Sequence, residues 1–235
     1  MSKLPNTARA RSQLFQLLAL GFVHPTEEFH RLLENGSYPL ALARAAHAAL
    51  GMDIVIGHTL ADYSDYEADY INLFQMGKRG QPIIHLNAGD YEELLDGGSR
   101  PEFLLEYSGW YRHFGLKTNE DDQANELPDH IVCQLELLAW LTHLESTTSS
   151  PESQTDYQRA QRDFFQRHFY PMLELLVTAM QRENSKNPIS PFFLKLATTS
   201  LEAVSLIQSQ LLATVGEASH KTDNPDQIAS VNLWG

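Results

Sequence analysis

Cysteine is nearly missing from this chain: Cys133 stands alone among 235 residues. An internal disulfide is therefore impossible, and without a CxxC pair a structural zinc site of the usual kind is excluded. A reducing compartment, the cytosol, is the expected location. Long apolar runs are missing too. No stretch approaches the roughly 18–20 consecutive apolar residues that cross a bilayer, so no integral membrane segment is expected. The first residues are Arg-containing and amphipathic, with no apolar run before a small-residue cleavage site, and do not read as an export signal. Positive charge is scarce as well, with 17 Lys+Arg against 30 Asp+Glu and a net charge of −13. Such a surface is ill suited to phosphate backbones or anionic lipid, which excludes nucleic acid and favours a basic partner.

Catalytic signatures are equally sparse. There is no GxSxG, GxGxxG, GxxxxGK[ST] or HExxH, so the nucleophile-elbow, dinucleotide, P-loop and zincin readings lose their support. The ten histidines never recur at i+3 or i+4, and no helix presents a two-histidine metal face. Two Glu-x-x-His pairs, Glu27/His30 and Glu217/His220, have the spacing used by ferritin-like di-iron sites. The second pair sits in a polar tail without helical pattern, so solvated surface pairs are the simpler reading. Cys133 shares a helix face with Asp129, Glu136 and Trp140, where a nucleophilic thiol would want a basic neighbour instead. A non-catalytic protein needing no cofactor or metal is expected.

What the sequence has in abundance is helical period. Ala10, Leu14, Leu17 and Leu18 form one apolar face ending near Gly21. Short helices are expected through Phe29 and Leu33, stopping at Asn35-Gly36, and from Pro39 to Gly51. Tyr63, Tyr66, Tyr70, Leu73 and Phe74 share a stripe that Gly77 ends. The stretch 78–98 is glycine-rich and irregular, and holds the only β-like run, Ile83-Ile84-His85-Leu86. Ser99 and Glu102 make a capping box for a helix through Tyr107, Trp110 and Tyr111 to Gly115. An acidic loop, Glu120-Asp121-Asp122, leads to Leu127-Pro128-Asp129-His130, where Pro128 fits a helix start and Ile131, Leu135 and Leu138 mark its buried face. Phe164, Phe165 and Phe169 precede Pro171, which should kink or restart the helix. A last long helix runs from Phe193 to Leu212. The fold class expected is all-α, a single helical domain over 1–215 with a polar loop at about 146–155 and a flexible tail over 216–235.

Asp129 and His130 have an ordinary explanation, since a carboxylate near a helix N-terminus complements the macrodipole. Their wider context points further. Tyr70-x-x-Leu73-Phe74, a glycine-rich loop, Glu126-Leu127-Pro128-Asp129-His130, then Leu135-Glu136-x-Leu138-Ala139 and Phe165-x-x-His168-x-x-Pro171 together resemble the TorD/DmsD/NarJ family of molybdoenzyme maturation chaperones. The likeness spans roughly residues 10–215. Gly89-Asp90 and the helix ending at Gly115-Leu116 are more similar to the NarJ-like branch, departing from it at Gly97-Gly98, where that branch often has Arg-Gly.

The resemblance implies a TorD-like helical bundle and a cytoplasmic, non-catalytic chaperone. Such a protein binds the N-terminal, often twin-arginine, leader of a molybdenum-containing catalytic subunit and holds that subunit for cofactor insertion before export or assembly. It implies leader contacts at Tyr70, Leu73, Phe74, Asp129 and His130; charge alone adds Glu126 and Glu136. An acidic protein with aromatic helix faces suits arginines followed by an apolar stretch. The alternatives are a helical di-metal carboxylate enzyme using Glu27 and His30, and a structural subunit that stays in a redox complex.

Overall fold

A computed structural model describes residues 4–57, 62–116 and 126–218. The expected acidic loop at Glu120-Asp121-Asp122, His220 of the second Glu-x-x-His pair and residues 219–235 lie outside these. Among the described residues the architecture is all-α, as expected, with no strand and a single isolated bridge between Asn87 and His130.

The helices are α1 (Leu4–Phe22), α2 (Glu27–Glu34), α3 (Ser37–Leu50), α4 (Tyr63–Tyr70), α5 (Arg100–His113), α6 (Ile131–Thr147), α7 (Pro151–Phe164), α8 (Tyr170–Lys186) and α9 (Pro191–Val215). The centre is α1, which packs chiefly on α6 and α3. Its Leu14, Phe15, Leu18 and Phe22 are wholly buried. Each such side chain contributes about 1.5–3 kcal/mol by leaving water. Local chemistry sets the ends. Thr26 Oγ1 accepts the Phe29 N–H at 3.2 Å to start α2, and the Ser99/Glu102 capping box opens α5.

Two expectations are corrected. The polar loop over 146–155 narrows to 148–150, because α6 continues to Thr147 and α7 already begins at Pro151. Ser150 caps α7 by accepting the Ser153 N–H at 3.2 Å, and Pro151 fills the first turn, where a missing donor costs nothing. Second, α6 starts at Ile131 with His130 as its cap, so Pro128 and Asp129 precede the helix. Pro171 stands where the helix restarts, as expected, but by an unexpected route. The turn before it widens to a π-helical turn, Phe165–Phe169, in which the Tyr170 N–H reaches back to Phe165 O. That leaves Pro171 in the opening turn of α8, relieving the clash its ring would make in a regular helix interior. A second π turn, Ile71–Gln75, extends α4.

Candidate functional site

The glycine-rich stretch after α4 is a strut. The N–H groups of Ile83 and Ile84 both donate to Leu73 O, at 3.0 and 2.9 Å. Ile131 N–H donates to Leu86 O at 2.9 Å, and Ala88 N–H to Asp129 O at 3.1 Å. The β-like run therefore spans from the π turn of α4 to the start of α6 instead of pairing into a sheet.

Asp129 is the junction of this strut. Its carboxylate is wholly buried and accepts the Gly89 N–H at 2.7 Å and the Asn87 amide at 3.0 Å. Its carbonyl accepts Gln134 Nε2 at 2.7 Å. A Cβ at Gly89 would stand 2.9 Å from Asp129 Oδ2, so only glycine lets the backbone come this close. His130 follows at the mouth of α6. Its Nδ1 accepts the Val132 N–H at 3.3 Å, which places the neutral ring's proton on Nε2, facing Glu126 Oε2 at 3.8 Å. Burial lowers the His130 pKa below the ordinary histidine value, with Glu126 pulling weakly the other way.

Around this junction lies a pocket of about 100 Å³ lined by Tyr70, Phe74, Gln75, Pro82, His85, Leu86, Asn87, Asp90, Glu126 and His130. Four of the seven expected site residues, Tyr70, Phe74, Glu126 and His130, thus meet. The Tyr70 hydroxyl donates to Phe22 O at 3.1 Å, and its ring contacts Phe74 at 5.1 Å. Asp129 holds the pocket from beneath, engaged by the strut. Leu73 lines a neighbouring cavity of about 230 Å³ with Asp69 and Glu183. Glu136 stands exposed on α6, outside the pocket, with its carboxyl pushed up by partial burial. Sequence reading gave no role to Asp90, which pairs with Arg100 and lies 3.6 Å from His85 Nδ1. The Gly89-Asp90 pair was its only signal.

The remaining candidates are structural. Burial pushes the Cys133 thiol up to about 12, helped by Glu136, Glu126 and Asp129. Glu27 pairs with Arg31 at the surface, whereas the His30 ring is buried against Tyr63 and Tyr66. Among the described residues no group of three or more His, Cys, Asp or Glu is placed to hold a metal ion. A cleft of about 790 Å³ lies elsewhere, between α5 and α7.

The sequence as a whole is similar to known proteins. The sequence profile of the nitrate reductase delta subunit matches residues 40–178, from within α3 through the strut and the Asp129 junction to α8. The chain is 36% identical over 234 residues to the dimethyl sulfide dehydrogenase assembly chaperone protein of Rhodovulum sulfidophilum, covering 97% of this chain and 93% of that one. It is 32% identical over 180 residues to the perchlorate reductase assembly chaperone protein of Dechloromonas aromatica (strain RCB), covering 71% and 76%. It is 30% identical over 175 residues to the chlorate reductase assembly chaperone protein of Ideonella dechloratans, covering 72% and 75%. No solved structure matches. A profile match over more than half the chain, together with near full-length likeness to a curated relative, settles the family: the chain belongs to the nitrate reductase delta subunit family.

Proposed function

We propose that this protein is a non-catalytic, cytoplasmic assembly chaperone serving one molybdenum-containing oxidoreductase. It binds the N-terminal leader of the catalytic subunit and holds that subunit for cofactor insertion. The observation that carries this is the likeness, at 30–36% identity, to three proteins each named as an assembly chaperone of a different oxidoreductase. A charge of −13 supports a basic leader as the bound element.

The pocket beside α6 supports an arginine as the recognised side chain. A cavity of about 100 Å³ takes the end of one side chain, and Glu126 brings a carboxylate to a guanidinium there, Asp90 being engaged by Arg100. Tyr70 and Phe74 line it with aromatic carbon, which suits the apolar stem of such a side chain. Asp129 acts through position, holding the strut and His130.

The test is affinity capture with the full chain from a cell expressing its own oxidoreductases, with and without the leader of the captured subunit. One catalytic subunit should dominate, leader deletion should abolish its capture, and salt should weaken it. Capture independent of the leader, or full occupancy on the mature enzyme, would overturn the reading.

A further inference from the structure

The cleft between α5 and α7 has no role in the pocket above. Leu105, Trp110, Phe114 and Tyr157 line it with apolar surface, and Leu105 is 67% exposed. Trp110 stacks on Phe114, which contacts Tyr157 at 6.5 Å, so the rings form a continuous row. The carboxylates of the cleft are already answered within the chain, Glu106 by Arg167, Asp156 by Arg159 and Asp163 by Arg162. An aromatic floor with a neutralised rim suits an apolar occupant that carries no charge, since a charged one would give up hydration without meeting a free opposite charge.

The chain itself holds such a segment. Residues 227–235, Gln-Ile-Ala-Ser-Val-Asn-Leu-Trp-Gly, contain no charged side chain and carry Ile228, Val231, Leu233 and Trp234. They lie outside the described residues, but the point from which the chain runs on toward them is fixed.

That point is beside the cleft. Arg162 is 7% exposed, pairs with the cleft-lining Asp163, and donates to the Val215 and Gly216 carbonyls at 3.4 and 2.9 Å. The end of α9 is therefore held to α7 one residue away from the cleft wall. Ile228 follows Gly216 by twelve residues, which span up to about 40 Å when extended. With 14 residues, α7 is only about 21 Å long. The segment can reach any part of the cleft, and its tether keeps it there at high local concentration.

We propose that residues 228–234 of this chain fold back into the α5–α7 cleft and lay Leu233 and Trp234 on the row of Trp110, Phe114 and Tyr157. The segment is an intramolecular cap that withdraws the row from water. This inference stands apart from the chaperone reading, and either can fail without the other.

The test is fluorine NMR of the full chain labelled with 5-fluorotryptophan. The labelled positions are Trp110, Trp140 and Trp234, and Trp234→Phe assigns the third resonance. In the parent, that resonance should move between H2O and D2O by less than about half of its movement in urea, because a capped ring has lost most of its water. Leu105→Glu puts a charge into the cleft at an exposed position, and Gly109→Leu fills it where an added Cβ meets nothing within 4 Å. Both should restore the movement seen in urea, and Gly109→Leu should raise the melting temperature as well, because glycine is unfavourable inside a helix. Leu206→Glu, the same change at an exposed position of α9 outside the cleft, should leave Trp234 shielded. A Trp234 as open to solvent in the parent as in urea, or shielding that survives both cleft variants, would overturn the proposal. So would shielding that is lost on tenfold dilution, which would put the segment on a second copy of the chain.

Discussion

Removing the Asp129 carboxylate should reveal what it does. Asp129→Ala leaves the buried Gly89 N–H and the Asn87 amide without the acceptors they have at 2.7 and 3.0 Å. Each hydrogen bond to a charged group is worth about 1.5–3 kcal/mol, so the loss is roughly 3–6 kcal/mol. A domain of this size shifts by about 2–4 °C per kcal/mol, which predicts a fall in melting temperature of about 6–24 °C. Asp129→Asn keeps one acceptor oxygen for Gly89 and should cost about half as much. Differential scanning calorimetry of both variants, with urea melts to confirm an unchanged m-value, reads this directly. If Asp129→Ala melted within about 2 °C of the parent while affinity for the client leader fell tenfold or more, the carboxylate would be reaching the client and the strut argument would fail.

Two further predictions concern titratable groups. His130 and His168 are both buried and held below the ordinary histidine pKa of 6.5 by loss of solvent. The unfolded chain therefore takes up protons near pH 6.5 before the folded one does. Stability should fall as pH drops through 6.5 toward the folded values, by up to about 1.4 kcal/mol per pH unit per histidine. Glu106 is held at about 2, chiefly by His168 with help from Arg167, so a further loss should begin near the unfolded value of 4.5. Melting curves between pH 8 and 5 check the first window, and His130→Asn, which keeps a capping acceptor but does not titrate, should flatten the slope. A slope indifferent to that change would remove His130 from the account. The Cys133 thiol, held at about 12, should be thiolate only to about one part in ten thousand at pH 8. Labelling by a disulfide reagent should then be orders of magnitude slower in the folded chain than in urea, and equal rates would refute the burial argument.

How far the residues alone led depended on whether function ran with local chemistry or across the chain. The helices were legible because apolar spacing, the Ser99 cap and the Asn35-Gly36 stop all act within one turn or two. The loop at 146–155 misled because Ser150 and Pro151 are loop residues by composition but a cap and first turn by position. The Asp129 junction was legible as a cluster and not as an arrangement. Asp129 meets Gly89 and Asn87 across some forty residues, and no periodicity encodes that contact. Leu73 and Phe74 are neighbours in sequence yet line different cavities, because successive residues on a helical turn point about 100° apart. The α5–α7 cleft was invisible, since its carboxylates come from two helices about fifty residues apart.

The π turn at Phe165–Phe169 constrains length more than identity. One residue more than a regular turn offsets everything after it by about 100° of helix rotation. Before it, Gln158 and Gln161 meet the Glu145 carboxylate at 2.7 and 2.8 Å; after it, Met172, Leu173, Leu176 and Met180 are wholly buried. The two faces belong to different phases of one rod, and a single inserted residue reconciles them. A deletion anywhere in these five positions would tighten the turn and swing the apolar stripe of α8 toward water. Substitutions there only exchange side chains. In relatives of this protein, the segment should therefore tolerate changes of letter but not of count.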